Sequence, residues 1–380
     1  VLLLAWAAGS CLLAAWSGAR QWTLPTWLAA TAIFWCLTLL TLSAGLLHAQ
    51  ASGVSRPAGV GRELVAFAYV GTLMLVVGFL VRDATMAREV LRRYVTIICV
   101  AVTVTFVAAV VFRSSGLGSL WYGGARFTAF AANPNQLALL LVPVPFIILQ
   151  LQVDGRLARS SALLCLAAVT VAGVATFSDA LALAWLAGGA LSGASLLCRA
   201  GRTPGAGFGK VAAIWVLLPA VLVIAIIVAG PVIYPKVESA VTGVVREGSQ
   251  ASVRVILWQH GFEAIAQAPW TGWGPGAHSG VRGPFQETEA HNSYLDWGAS
   301  TGVPGLAALL LMLGWAVACC IRGGKTHLGV ALLALMLFAV FHFVLRQPAF
   351  WLVVLLLAIA SSPSPGESRA LPPQPRTVKR

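Results

Sequence analysis

The chain has 380 residues, of which 59% are hydrophobic and only 10% charged, and its mean hydropathy is +0.86. A soluble domain of ordinary composition carries about 25% charged residues, so a string of soluble domains is excluded and one integral membrane domain is indicated. The formal net charge of +13 is spread singly and in small groups between apolar runs; no continuous basic surface is left to follow a phosphate backbone, which excludes nucleic acid as a partner.

Apolar runs of roughly 18–24 residues, the length that spans a hydrocarbon core about 30 Å thick, recur along the whole chain. They predict eleven membrane helices at roughly 1–17, 26–48, 63–81, 94–112, 135–152, 160–177, 180–198, 211–234, 293–321, 328–345 and 349–361. Val1 already lies inside an apolar run, with no charged segment or cleavage site ahead of it. That is read as a truncated start or a missing first helix rather than a signal peptide. The expected fold is therefore an all-α integral membrane protein of about eleven transmembrane helices, or twelve where a first helix is missing. The membrane domain covers 1–360, and the Pro- and basic-rich stretch 361–380 reads as a disordered cytoplasmic tail. All seven cysteines fall within or at the ends of apolar runs without a CxxC or Cys/His cluster, so they read as packing residues.

Alternate loops differ in charge. One set carries sixteen Lys and Arg, from Arg20 through Arg82, Arg88, Arg92 and Arg93 to the tail, whereas the short loops of the other set carry five: Arg56, Arg62, Arg113, Arg126 and Arg346. The richer side is cytoplasmic by the positive-inside rule. The long loop 235–292 then faces outward, and its tryptophans suggest that it folds back onto the bilayer.

Three outward segments concentrate residues that could do chemistry. In 113–134, Arg126 precedes a helix that begins near Asn133-Pro134-Asn135, where either asparagine can cap and Pro134 suits the first turn. In 251–268, helical periodicity places Leu257, Trp258, Gly261 and Ile265 within about 60° of Arg254, with Gln259, Glu263 and Gln267 opposite. A charge in the middle of an apolar stripe is costly unless something anionic meets it, which favours an anion site over snorkelling to headgroups. In 269–305, Gly272, Gly274 and Gly276 permit close backbone approach. His291 stands at the start of the ninth span beside Asn292, with Tyr294 and Asp296 in the first turns; a histidine there can act as a base near neutral pH. Glu287, Glu289 and His291 alternate, but three ligands without a fourth make a poor zinc site.

These segments together resemble the O-antigen ligase/O-antigen polymerase C-terminal family. The resemblance rests on AHNSYLDWGASTGVPGL at 290–306, on RVILWQHGFEAIAQAPWTGWGPG at 254–276, and on RFTAFAANPNQLALLL at 126–141, in that family's order and spacing, and covers about 110–310. It implies glycan transfer on the periplasmic face, from an undecaprenyl-diphosphate-linked glycan donor to a sugar hydroxyl on lipid A core or on a second carrier-linked glycan. By the same analogy Arg126 and Arg254 bind the donor diphosphate and stabilise it as it leaves, and His291 takes the acceptor proton. Asn292, Tyr294, Gly274, Gly276 and Arg346 join the substrate-binding set, with no metal and no cofactor. His278 and Arg282 would contact sugars or lipid headgroups. Ligation to lipid A core is the expected role, with polymerisation the alternative. A transporter reading, which needs ionisable groups near the membrane midplane, is disfavoured by spans almost free of charge.

Overall fold

The structure is a computed structural model that describes residues 25–54, 59–81, 83–112, 120–200, 250–281 and 288–362. The expected spans at 1–17 and 211–234, the loop positions Arg282 and Glu287, and the tail beyond residue 362 lie outside the described residues. The described part is almost entirely helical: α1 Thr26–Ala51, α2 Val60–Leu80, α3 Ala84–Val111, α4 Pro134–Leu141, α5 Val144–Val153, α6 Arg159–Ala175, α7 Asp179–Ala200, α8 Gln250–Gln267, α9 Ser293–Arg322, α10 Thr326–Ala339 and α11 Pro348–Ala360. A two-residue hairpin, β1 Trp121–Tyr122 against β2 Arg126–Phe127, interrupts the helices between α3 and α4.

Among the described residues five segments are long and apolar enough to cross a membrane: α1, α2, α3, the α4–α5 pair over Pro134–Val153, and α9. The apolar helices α6, α10 and α11 are shorter. α3 leaves Ile97, Val100, Val104, Val107 and Val111 exposed along its length, a stripe of a kind that lipid covers and water does not tolerate. The chain is a multi-pass membrane protein.

Contacts sort the loops into two ends. At one end Lys325 Nζ donates to Asp154 at 3.0 Å, and Arg88 Nε donates to the Ala360 carbonyl at 2.8 Å, satisfying a carbonyl at the end of α11. At the other end Arg126 reaches the Thr176 carbonyl, Ser293 reaches His342, and Arg346 reaches Glu63. The basic-rich loops gather at the first end and the candidate site residues at the second. We call these the inner and outer ends, after the orientation expected from the sequence.

Two helix boundaries differ from expectation. α3 begins at Ala84, ten residues ahead of the expected span, because Asp83 caps it by accepting from the Met86 amide at 2.8 Å. Arg92 and Arg93 then sit on its first turns and pair with Glu89 at i+3 and i+4. α10 ends at Ala339, so 340–347, expected to stay helical to about 345, forms a turn at the outer end.

A third difference lies inside α9. Gly302 has φ 69° and ψ −175°, and Pro304 follows, so the helix breaks there. The freed groups find partners in the turn after α8: Trp273 N–H donates to the Ala299 carbonyl at 2.8 Å, Gly274 N–H to Ser300 at 2.9 Å, and Val303 N–H to Pro269 at 2.7 Å. Trp297 Nε1 also donates to the Gly305 carbonyl at 2.9 Å, from a buried aromatic cluster with Phe34, Phe67, Trp35 and Trp351. Irregular backbone at a membrane helix is tolerated where protein satisfies it in this way.

Candidate functional site

Arg126 is held by the hairpin. Phe127 beside it is fully buried and packs edge-on against Phe106 at 5.3 Å, while Thr128 ties back to Leu120 through backbone and side chain. The guanidinium donates through Nε to the Thr176 carbonyl at 2.9 Å and through Nη2 to Asn135 Oδ1 at 3.2 Å. Partial burial lowers its pKa, against the opposing pull of Asp179 and Tyr122. Of the two candidate caps, Asn133 caps α4 by accepting from the Gln136 amide at 2.9 Å, with Pro134 in the first turn; Asn135 holds the arginine.

Arg254 rides on α8 as the periodicity predicts. Leu257, Gly261 and Ala264 are buried and Trp258 and Ile265 half-buried, while Gln259, Glu263 and Gln267 are exposed. Gly261 allows α8 to lie close on α9: a Cβ there would stand 3.3 Å from Leu295 Cβ. Trp258 Nε1 donates to the Ala290 carbonyl at 3.0 Å and its ring lies 6.3 Å from Phe341. Arg254, one turn away, is half-buried and has no carboxylate partner within ion-pair distance among the described residues.

The start of α9 joins these pieces. His291 adopts φ 53°, left-handed for a residue with a side chain, and exposes 48% of its side chain. Asn292 caps α9 by accepting from the Tyr294 and Leu295 amides. Ser293 Oγ donates to the His342 carbonyl at 2.7 Å and accepts from the Val344 amide at 2.9 Å, pinning the 340–347 turn. Tyr294 donates its hydroxyl to the Met336 carbonyl near the end of α10. Asn292 and Tyr294, expected to touch substrate, thus have structural partners of their own.

His342 sits where these elements meet, its ring 4.7 Å from Phe338. Its pKa is pushed down to about 4, first by burial and then by its electrostatic neighbours Arg254, His291 and Arg126. Arg254, His291 and Arg126, from segments far apart in sequence, therefore all lie within electrostatic reach of His342, which stays neutral. Nothing in the sequence motifs singled out His342; its signal was a polar residue breaking the apolar run FAVFHFVL just ahead of Arg346.

Arg346 is occupied differently. Its Nη1 donates to Glu63 Oε1 at 2.7 Å, its Nη2 to Glu289 Oε1, and its guanidinium carbon lies 5.3 Å over the Phe343 ring. Burial works against its charge, yet the two carboxylates hold its pKa above the usual value. Glu63, buried in the first turn of α2, was not foreseen. Glu289 Oε2 lies 4.0 Å from His291 Nδ1.

The glycines of the Pro-x-x-Gly-x-Gly turn approach protein backbone. A Cβ on Gly272 would stand 2.5 Å from the Gly302 nitrogen, and one on Gly274 2.8 Å from the Leu46 nitrogen. Both have positive φ, as does Gly276 at 83°. Among the described residues no group of three or more His, Cys, Asp or Glu stands ready for a metal ion.

The architecture defines a class: a multi-pass helical membrane protein, with Arg126, Arg254, His291 and His342 at one end of it. The O-antigen ligase family model matches residues 161–310. That stretch is similar to the O-antigen ligase/polymerase C-terminal family, whose members are membrane glycan enzymes of the ligase or polymerase type. It spans Arg254, Gly274, Gly276, His291, Asn292 and Tyr294, and leaves Arg126, His342 and Arg346 outside. No curated protein matches the chain.

Proposed function

We propose that the protein moves a glycan from an undecaprenyl-diphosphate carrier to a sugar hydroxyl at the periplasmic end of the bacterial inner membrane, and that the acceptor is lipid A core. What supports the reading is the set of groups at this end: Arg254 without a carboxylate partner among the described residues, Arg126 held by neutral oxygens, and the exposed His291 imidazole at the start of α9, which Ser293 ties to the turn carrying His342. In the proposed step the acceptor oxygen attacks the anomeric carbon, the bond from that carbon to the phosphate oxygen breaks, and its electron pair leaves with the diphosphate. His291 takes the hydroxyl proton. Arg126 and Arg254 bind the diphosphate and stabilise the charge that develops on it, where fixed donors count most. Guanidinium suits this role because it keeps its charge and grips phosphate oxygens in a fork. Attack from the opposite face inverts the anomeric centre.

The test is reconstitution of the full chain in liposomes with carrier-linked glycan, offered either core lipid or a second carrier-linked unit. Transfer to core lipid supports ligation. Chain growth on the carrier instead makes the protein a polymerase, and no transfer to either acceptor overturns the reading. His291→Ala is expected to lower turnover by about 10²–10⁴-fold, the usual worth of a general base; full turnover in that variant removes His291 from the mechanism.

A further inference from the structure

His291 is exposed, yet its backbone is tightly specified. A left-handed conformation at a non-glycine residue is disfavoured by about 1–2 kcal/mol and persists where surrounding structure over-determines it. The determinant here is Asp296, one turn into α9 and fully buried. Its Oδ1 accepts from the Ala290 amide at 2.9 Å and its Oδ2 from the Asn292 amide at 3.3 Å, the residues immediately before and after His291. A third donor comes from a separate turn: His278 Nδ1 lies 3.1 Å from the same Oδ1.

His278 mirrors His291. It too is left-handed, with φ 43°, but it is 4% exposed, and its ring meets Phe343 edge-on at 5.3 Å. Ser279 N–H donates to the Thr288 carbonyl at 3.1 Å, so the turn at 278 is stitched to the segment leading into 290. A buried carboxylate is expensive unless paired and hydrogen-bonded. Asp296 meets both conditions and lies in the first turn of a helix, where the dipole favours negative charge. Burial opposes a charge on His278, but the hydrogen bond and the charge of Asp296 prevail and raise its pKa.

We infer that Asp296 and His278 form a buckle that fixes the turn at His291 and so aims its imidazole, making them positioning residues for glycan transfer. Neither is placed to touch substrate, since both are buried. The inference rests on the base role proposed for His291. It predicts a loss confined to the chemical step: donor capture by Arg126 and Arg254 does not depend on the turn, whereas misplacing a base by about 1 Å can cost about 10²-fold.

The experiment compares Asp296→Asn, His278→Asn and His291→Ala, alone and paired, in the reconstituted full chain under single-turnover conditions with carrier-linked glycan. Asp296→Asn is expected to lower kcat by about 10- to 100-fold with KM for the donor unchanged within about twofold. His278→Asn, which leaves the two amide bonds in place, is expected to lower it by less. Asp296→Asn added to His291→Ala is expected to cause no further loss, because the group being aimed is gone. Turnover within twofold of wild type in both single variants, with His291→Ala inactive, overturns the buckle and leaves the base role standing. So does a donor KM that rises in step with the fall in kcat, or a paired variant that loses the full additional factor. Wild-type turnover in His291→Ala removes the base role itself and the buckle with it. Should Asp296→Asn fail to fold, the same outcomes are read from His278→Asn.

Discussion

Arg346, expected in the substrate-binding set, also carries a structural task. Glu63 and Glu289 pair with it and draw α2 toward the segment ahead of His291. Removing one partner of a mostly buried ion pair leaves the other charge stranded, at a cost of about 3–5 kcal/mol. Arg346→Ala should therefore lower the thermal midpoint in detergent, and Arg346→Ala with Glu63→Gln should recover part of the loss; an Arg346→Ala protein as stable as wild type would contradict this placement. His342 makes a prediction of the opposite kind. Its folded pKa of about 4 lies below the ordinary value of 6.5, so between those limits the unfolded chain binds more protons and stability falls as pH drops. His342→Gln should flatten that part of the acid limb when melting is followed from pH 7 to pH 4; an unchanged slope would mean that His342 is not the group responsible.

Helices and turns were legible in the sequence to unequal degrees, for physical reasons. The face of α8 that carries Arg254 could be read because one helix has one period, and burial at 257, 261 and 264 follows it. The hairpin before α4, the break in α9 and the early end of α10 could not, because each depends on partners distant in the chain. Gly302 and Pro304 announce a break, but only the turn at 269–274, which pairs with it, makes the break tolerable. Gly272 and Gly302 face each other so closely that a Cβ on either meets backbone below 3 Å. Each Gly→Ala change there combines overpacking with a strained φ, worth about 2–3 kcal/mol together, and should shift the melting transition accordingly; Gly314→Ala, which has nothing within 4 Å, should not. Of the residues expected to act, Arg126, Arg254 and His291 all bear on His342, whereas Asn292, Tyr294 and Gly274 serve local structure first. Charge and motif order signalled the two arginines and the histidine. Asn292, Tyr294 and Gly274, proposed for the site alongside them, also cap, pack and allow close approach, because capping, packing and substrate binding draw on the same side chains.

The whole molecule is organised by its two ends. The loops richest in Lys and Arg meet where Lys325 joins Asp154 and Arg88 closes α11, while the candidate site occupies the opposite end. If the basic end is cytoplasmic, a cysteine placed at the exposed Phe130 or Trp270 in a cysteine-free background should react with a membrane-impermeant thiol reagent added to spheroplasts, and one at Ser160 should react only after lysis. The reverse pattern would turn the site inward and end the periplasmic assignment.

Diphosphate capture by Arg126 and Arg254 is the claim on which the rest depends, and binding of undecaprenyl diphosphate to the purified protein in detergent measures it most directly. Arg126→Ala and Arg254→Ala should each weaken binding by about tenfold or more, as loss of a charge-assisted contact requires, while His291→Ala leaves it nearly unchanged. Wild-type affinity in both arginine variants would contradict the account.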